Sequence, residues 1–235
     1  MKYLISELFY ELNEMSVKYK EGFNFKKFKK DGCIVIKNFI DISVVKEILE
    51  SIDWNDSNWS DELKSDSRIY NFSSKRLNEI DEQISPFFKK YISQFSNSSF
   101  WMVNKLEFIK NNLGSGGGWH RDSLNRRQLK FMLYLTDVNI NNGPFCYVKG
   151  SHRVINKFKL EKFNFNKTRY SNIEFSQLGL KEDIITGEKG SLVIFDSSGI
   201  HRGKPIIKGK RIALTKYLFD SGIPQNIKRI YDSNV

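Results

Sequence analysis

The sequence predicts a mainly β domain, a sandwich or barrel of short strands with helices packed outside it. Three observations carry that expectation. From residue 100 onward, short apolar runs alternate with turn residues. Phe is abundant, at 19 of 235 residues, which suits packed sheets with aromatic layers. Upstream of residue 100, apolar residues recur mostly at helical spacing.

Taken in order, Leu4, Leu8, Leu12 and Met15 predict a helix over 3–20 with one apolar face. The apolar, β-branched run from Cys33 to Ile40, bounded by Gly32 and Asp41, reads as a buried strand. A second helix should run from an N-cap at Ser43 to Ile52, with Val44, Val45, Ile48 and Leu49 on its apolar face. Residues 53–75 are polar and irregular, as in a long loop over an active site. Helical character returns over 76–95, where Pro86 marks a break or a new first turn. Strands are expected at 101–110, 118–122, 129–136, 144–149, 191–196 and 210–219. The turns between them include Asn111-Asn112, Gly114-Ser115-Gly116-Gly117-Gly118, Asn141-Asn142-Gly143-Pro144 and Ile207-Lys208-Gly209-Lys210. With no repeat and no linker, this is one domain over 1–235: a helix-and-strand segment (1–98) leading into a β core (99–222).

Composition narrows the function classes. Hydrophobic residues make up 40%, a globular and not a disordered composition. The first twenty residues mix acids with apolar side chains, unlike a secretory signal, and no window resembles a membrane span. Cys33 and Cys146 read as reduced, buried thiols. A soluble cytoplasmic protein is the expectation. The net charge of +11 raises nucleic-acid binding. The lysines are scattered, however, and the densest cluster, Phe25 to Lys30, is short, so a solvated basic surface is the preferred reading. No sequence feature sets an oligomeric state.

The chain has only three histidines. His120 and Asp122, in Trp119-His120-Arg121-Asp122, are two apart and project from one face of a strand. His201 follows 81 residues later, just past a strand, and can fold back as a third ligand. Two imidazoles and a carboxylate form the facial triad of non-haem iron(II) oxygenases, with open positions for a co-substrate and O2. A lone H-x-D is more often a surface pair. What shifts the balance is Arg211, ten residues after His201 and separated from it by a turn. That spacing allows adjacent antiparallel strands and puts a guanidinium within reach of the far end of a dicarboxylate. Its strand would turn Arg211, Ala213 and Thr215 to one face.

Taken together, Trp119-His120-Arg121-Asp122, Tyr134 to Val138, Asn142-Gly143-Pro144-Phe145, Gly150-Ser151-His152, His201 to Arg211 and the opening strand Asp31 to Phe39 resemble the phytanoyl-CoA dioxygenase family of iron(II)/2-oxoglutarate oxygenases. The resemblance implies a double-stranded β-helix (jelly-roll, cupin-like) core with flanking helices. It implies His120, Asp122 and His201 as catalytic metal ligands, and Fe(2+), 2-oxoglutarate and O2 as cofactor and co-substrates. Arg211 would hold the 2-oxoglutarate. Relatives often have Ser where this chain has Ala213, so Thr215 or a tyrosine would substitute. A polar residue on an early strand also touches the co-substrate in relatives; Asn104, Lys105 and Tyr134 are the candidates, with Lys130 a weaker one. Only one of Asn104 and Lys105 can face inward. His152 marks a structural corner and not a ligand, and Asp122 argues against halogenation. The Gly114–Gly118 run lacks the Lys and Ser/Thr of a phosphate loop and reads as a flexible lead-in to the ligand strand.

The expected activity is oxidation of a C–H bond of a small-molecule substrate, most simply hydroxylation, with release of succinate and CO2. Its rivals are oxidative demethylation of nucleic acid, a non-catalytic jelly-roll that binds metal or sugar, and a zinc hydrolase. Arg211 has no evident purpose in the last two.

Overall fold

The computed structural model describes residues 25–56, 59–60, 66–92, 99–122, 128–161 and 167–219, with 223, 225, 227 and 228. The helix expected over 3–20 lies outside the described residues. The elements in chain order are α1 (Phe25–Asp31), β1 (Cys33–Ile36), α2 (Ile42–Glu50), a 3-10 turn (Trp54–Asp56), β2 (Trp59–Ser60), β3 (Asp66–Ile69), α3 (Leu77–Ile92) and β4 (Ser99–Glu107). There follow β5 (Trp119–His120), β6 (Gln128–Tyr134), β7 (Phe145–Tyr147), α4 (Val154–Glu161), β8 (Arg169–Tyr170) and α5 (Asn172–Gln177). The chain closes with β9 (Asp183–Ile185), β10 (Leu192–Asp196), β11 (His201–Gly203) and β12 (Lys210–Phe219).

The strands form a seven-stranded sheet, β1-β10-β6-β12-β4-β3-β2, and a five-stranded sheet, β8-β5-β11-β7-β9. Alternation along β6 shows how they pack. Leu129, Phe131 and Leu133 enter a core shared with Val45 and Ile48 of α2, Ile80 and Ile84 of α3 and Phe28 of α1. Met132 and Tyr134 turn the other way, towards Phe145, Tyr147 and Ile185 of the smaller sheet. The large sheet is therefore buried on both faces, with helices outside and the functional interior between the sheets. A third apolar cluster, with Trp119, Cys146, Tyr170 and Ile200, backs the outer face of the smaller sheet.

Several expectations change. The short basic cluster is α1, whose Phe28 is buried while Lys27 pairs with Asp31. Helix α2 starts one residue before the expected cap, with Asp41 in the N-cap position. Helix α3 continues through Pro86, although that residue has no N–H for the helical ladder. The stretch 53–75 is not one loop, since β3 joins β4 and puts Arg68 opposite Asn104. The N-terminal segment thus supplies three strands of the large sheet. No helix among the described residues is long and apolar enough to cross a membrane.

Candidate metal centre and co-substrate site

His120 ends β5 and His201 opens β11, and the two sit directly opposite one another in the ladder. Paired residues share a face, and the two ring centroids are 4.4 Å apart. Asp122 lies just past β5, where its N–H donates to the Ser197 carbonyl at 3.1 Å. One ligand atom from each of His120, Asp122 and His201 falls within 4.8 Å of the others, and no other such cluster occurs among the described residues.

The two imidazoles are held alike. Nδ1 of His120 is 2.8 Å from the Gly118 carbonyl, and Nδ1 of His201 is 2.9 Å from the Gly199 carbonyl. A carbonyl only accepts, so each Nδ1 carries the hydrogen and each Nε2 keeps a lone pair. The Nε2 atoms lie 3.6 Å (His120) and 3.7 Å (His201) from the Asp122 carboxylate, too far for hydrogen bonds. Two lone pairs and a carboxylate converging with no proton between them suit a divalent metal. Burial opposes charge on Asp122, but the Lys130 ammonium 2.6 Å away and the two imidazoles hold its pKa well below the carboxylate range. Burial, with the His120 ring, pushes His201 down to about 3, so this imidazole is neutral at neutral pH.

The glycine loop does more than lead in. Gly116 has φ +78°, and a Cβ there would stand 2.3 Å from Cε1 of His120. The loop backbone is thus a wall against the ligand ring that only glycine permits.

Arg211 requires a correction. It is not on a strand adjacent to His201: β11 pairs with β5 and β7, while β12 pairs with β4 and β6. The segment between them changes sheets, so Arg211 reaches the interior from the opposite sheet. Arg211 is 2% exposed. Nη1 donates to the Gly143 carbonyl, and Nε has no partner. The acid nearest in electrostatic effect, Asp66, is already paired with Arg68 at 2.5 Å. A Cβ on Gly203 would come within 3.2 Å of Nη2, so glycine there leaves the guanidinium its room. A buried cation with an open N–H is costly without an anion, a cost that an arriving anionic group would relieve.

The other candidates separate by face. Ala213 and Thr215 are buried on the same face as Arg211. Asn104 lies opposite Ala213, with its buried Nδ2 unpartnered. Lys105, the other of the two alternatives, points the opposite way, as alternation requires: its ammonium is 3.0 Å from Glu107 and lies over the Trp54 ring on the helix side. Tyr134 faces inward, but its hydroxyl donates to the Ile185 carbonyl at 2.9 Å. That ties the sheets together and leaves no hydrogen for a co-substrate. His152 is a corner residue, with Nε2 3.0 Å from the Lys29 carbonyl. Lys130, which sequence reasoning ranked last, contacts Asp122 directly. The signal for it was a lone lysine within the apolar run Leu129-Lys130-Phe131-Met132-Leu133.

Comparison with known proteins agrees with this arrangement. The profile of the family described as phytanoyl-CoA dioxygenase (PhyH) matches residues 28–211. No curated protein matches. Among solved structures, the fold is similar to SnoK, a non-haem α-ketoglutarate-dependent carbocyclase from nogalamycin biosynthesis (TM-score 0.62, 13% identity, 91% of this chain and 94% of that one). It is also similar to EvdO2 from Micromonospora carbonacea var. aurantiaca complexed with 2-oxoglutarate (0.59, 12%, 86% and 92%). A third is EctD from S. alaskensis with bound Fe (0.59, 14%, 86% and 80%). At these identities the likeness is one of fold, a jelly roll of two antiparallel sheets. The matched profile spans most of the chain, triad and Arg211 included, and the chain belongs to the phytanoyl-CoA dioxygenase family of iron- and 2-oxoglutarate-dependent oxygenases.

Proposed function

We propose that this chain hydroxylates a C–H bond of a small molecule, with His120, Asp122 and His201 holding ferrous iron and Arg211 holding the far carboxylate of 2-oxoglutarate. The observation that carries this reading is the pairing of a proton-free His–Asp–His convergence with a buried guanidinium whose Nε lacks a partner. When bound, iron and 2-oxoglutarate supply O2 activation coupled to decarboxylation, which releases succinate and CO2.

The chain's own residues position and shield. The Gly118 and Gly199 carbonyls fix the imidazole tautomers. Asn104 offers a buried amide N–H to an oxygen of the co-substrate, and Thr215, two residues beyond Ala213 on the same face of β12, offers a hydroxyl in place of the missing serine. Tyr134 holds β9 against β6 and so keeps the interior closed around the reacting groups. Two free, buried thiols fit a reducing, cytoplasmic setting.

The test is succinate formation by the purified chain with Fe(II), ascorbate and 2-oxoglutarate, screened against a metabolite library. Substrate-stimulated succinate that disappears in His120→Ala supports the reading. Undiminished turnover in that variant refutes it.

A further inference from the structure

Five charged side chains that are less than a fifth exposed face the space between the sheets from the described strands or the end of β5: Asp66, Arg68, Asp122, Lys130 and Arg211. The register turns Arg169 and Asp183 to the same side, but Arg169 is exposed and the Asp183 side chain is half-exposed. Of the five, two are carboxylates and three are cations. Asp66 and Arg68 neutralise one another at 2.5 Å, with the Ser115 hydroxyl also donating to Asp66 at 3.0 Å. Arg211 is matched by the dicarboxylate of the proposed function, on which this inference rests. That leaves Lys130 and Asp122, 2.6 Å apart. A divalent ion bound by His120, Asp122 and His201 draws on the charge of that same carboxylate. Ferrous iron and 2-oxoglutarate cancel in formal charge, so the loaded interior keeps one positive charge without a counter-ion of its own, and that charge is on Lys130.

The ammonium is also held in place. It stands 4.3 Å from the centroid of the Tyr217 ring and 5.9 Å from that of Phe195. Lys130 itself is 7% exposed. With Asp122 shared between it and the metal, a buried, oriented ammonium here is expensive unless a second anion meets it. Apolar side chains lie on the same inner face nearby: Met132 two residues along the strand, and Phe195, which pairs with Lys130 across the ladder.

We propose that Lys130 anchors the prime substrate through a carboxylate, so that this enzyme oxidises a small organic acid at a carbon close to its acid group. The nearby aromatic and methionine side chains then take the apolar body of the molecule.

Binding, not turnover, tests this. The protein is loaded with Mn(II) and 2-oxoglutarate and titrated calorimetrically with hexanoate and 3-phenylpropionate, and with the corresponding neutral amides. Hydrogen bonds to a charged group imply that the acids bind about tenfold or more tighter than the amides. The gap should collapse in Lys130→Met and survive in Lys130→Arg, while Mn(II) affinity in Lys130→Met stays equal or tightens. Equal affinity for acid and amide, no binding of either, or a gap that persists in Lys130→Met overturns the anchor. So does an about tenfold loss of metal affinity in Lys130→Met, which would make the lysine a support for Asp122 instead. Arg shows whether the pocket tolerates substitution, since a misfolded Lys130→Met would lose the 2-oxoglutarate heat as well. The Fe(II)–2-oxoglutarate charge-transfer band, recorded anaerobically on the wild type, reports the underlying reading separately. Its absence sinks that reading, and its presence with no acid preference sinks the anchor alone.

Discussion

Replacing Arg211 with Met should change stability and co-substrate binding in different ways, because the same guanidinium is a burden without an anion and a strong partner with one. In the unloaded protein Arg211 is 2% exposed, with Nε unpartnered and Nη1 on the Gly143 carbonyl. Exchanging a buried charge for an apolar side chain of similar length is neutral or stabilising by about 1–4 kcal/mol. Against this, the Gly143 carbonyl loses a donor, at a cost of roughly 1–3 kcal/mol. The two nearly offset, so the melting temperature should move by no more than about 2–4 °C, the shift expected per kcal/mol at this size. Loaded, the variant lacks a desolvated, charge-assisted contact worth about 2–5 kcal/mol. The Kd for 2-oxoglutarate should then rise by roughly 30- to 4000-fold. Calorimetric titration of the Mn(II)-loaded protein and thermal melts without co-substrate measure both arms. Binding within about threefold of wild type refutes the assignment of Arg211. A collapse in unloaded stability refutes the claim that the cation is held there for an anion.

Three further outcomes follow from particular contacts. Gly116→Ala would push a Cβ into Cε1 of His120 and should weaken metal binding by about tenfold or more, the scale of losing support around a ligand; competition with a metal chelator measures it. Tyr134→Phe removes the bond to the Ile185 carbonyl and should cost roughly 1–3 kcal/mol in denaturant melts, with 2-oxoglutarate affinity changed less than about twofold because the hydroxyl is already committed. Glu174 closes a capping box with Ser171 at the start of α5. The Lys167 ammonium and the Ser171 N–H hold Glu174 down to about 2. A lowered carboxyl contributes stability that is present above its unfolded pKa, near about 4.3, and lost as pH falls towards the folded value. The melting difference between wild type and Glu174→Gln should therefore be full at pH 6 and fade towards acid; a gap unchanged down to about pH 2 contradicts the pairing.

Much of the site was legible because its chemistry is local or spaced by strand geometry. His120 and Asp122 are two apart, and β12 occupies the expected 210–219 with Arg211, Ala213 and Thr215 sharing a face. What escaped has physical reasons. Strands β8, β9 and β11 are two or three residues long, too short for alternation to register. In β3 the inward positions are Asp66 and Arg68, so a site strand reads as a polar loop. The change of sheet between His201 and Arg211 leaves no local mark, since a turn that closes a hairpin and one that crosses between sheets use the same residues. The capping box Ser171-Asn172-Ile173-Glu174 was a readable helix start within 153–185, a stretch otherwise without pattern.

One regularity joins sequence to mechanism. Both histidines of the candidate metal centre stand in a Gly-x-His triplet, Gly118-Trp119-His120 and Gly199-Ile200-His201. In each, the middle side chain is buried in the outer cluster of the smaller sheet, which turns the imidazole inward. In each, the glycine carbonyl takes the Nδ1 hydrogen. Gly118 needs its left-handed φ of +95°, and Gly199 leaves space for the Tyr147 hydroxyl, which a Cβ would approach to 2.0 Å. Imidazole ligands are commonly oriented by a carboxylate or carbonyl from elsewhere in the fold; here each is oriented by its own strand two residues back. The orientation of the two imidazoles is thus set by backbone that the buried Trp119 and Ile200 side chains anchor.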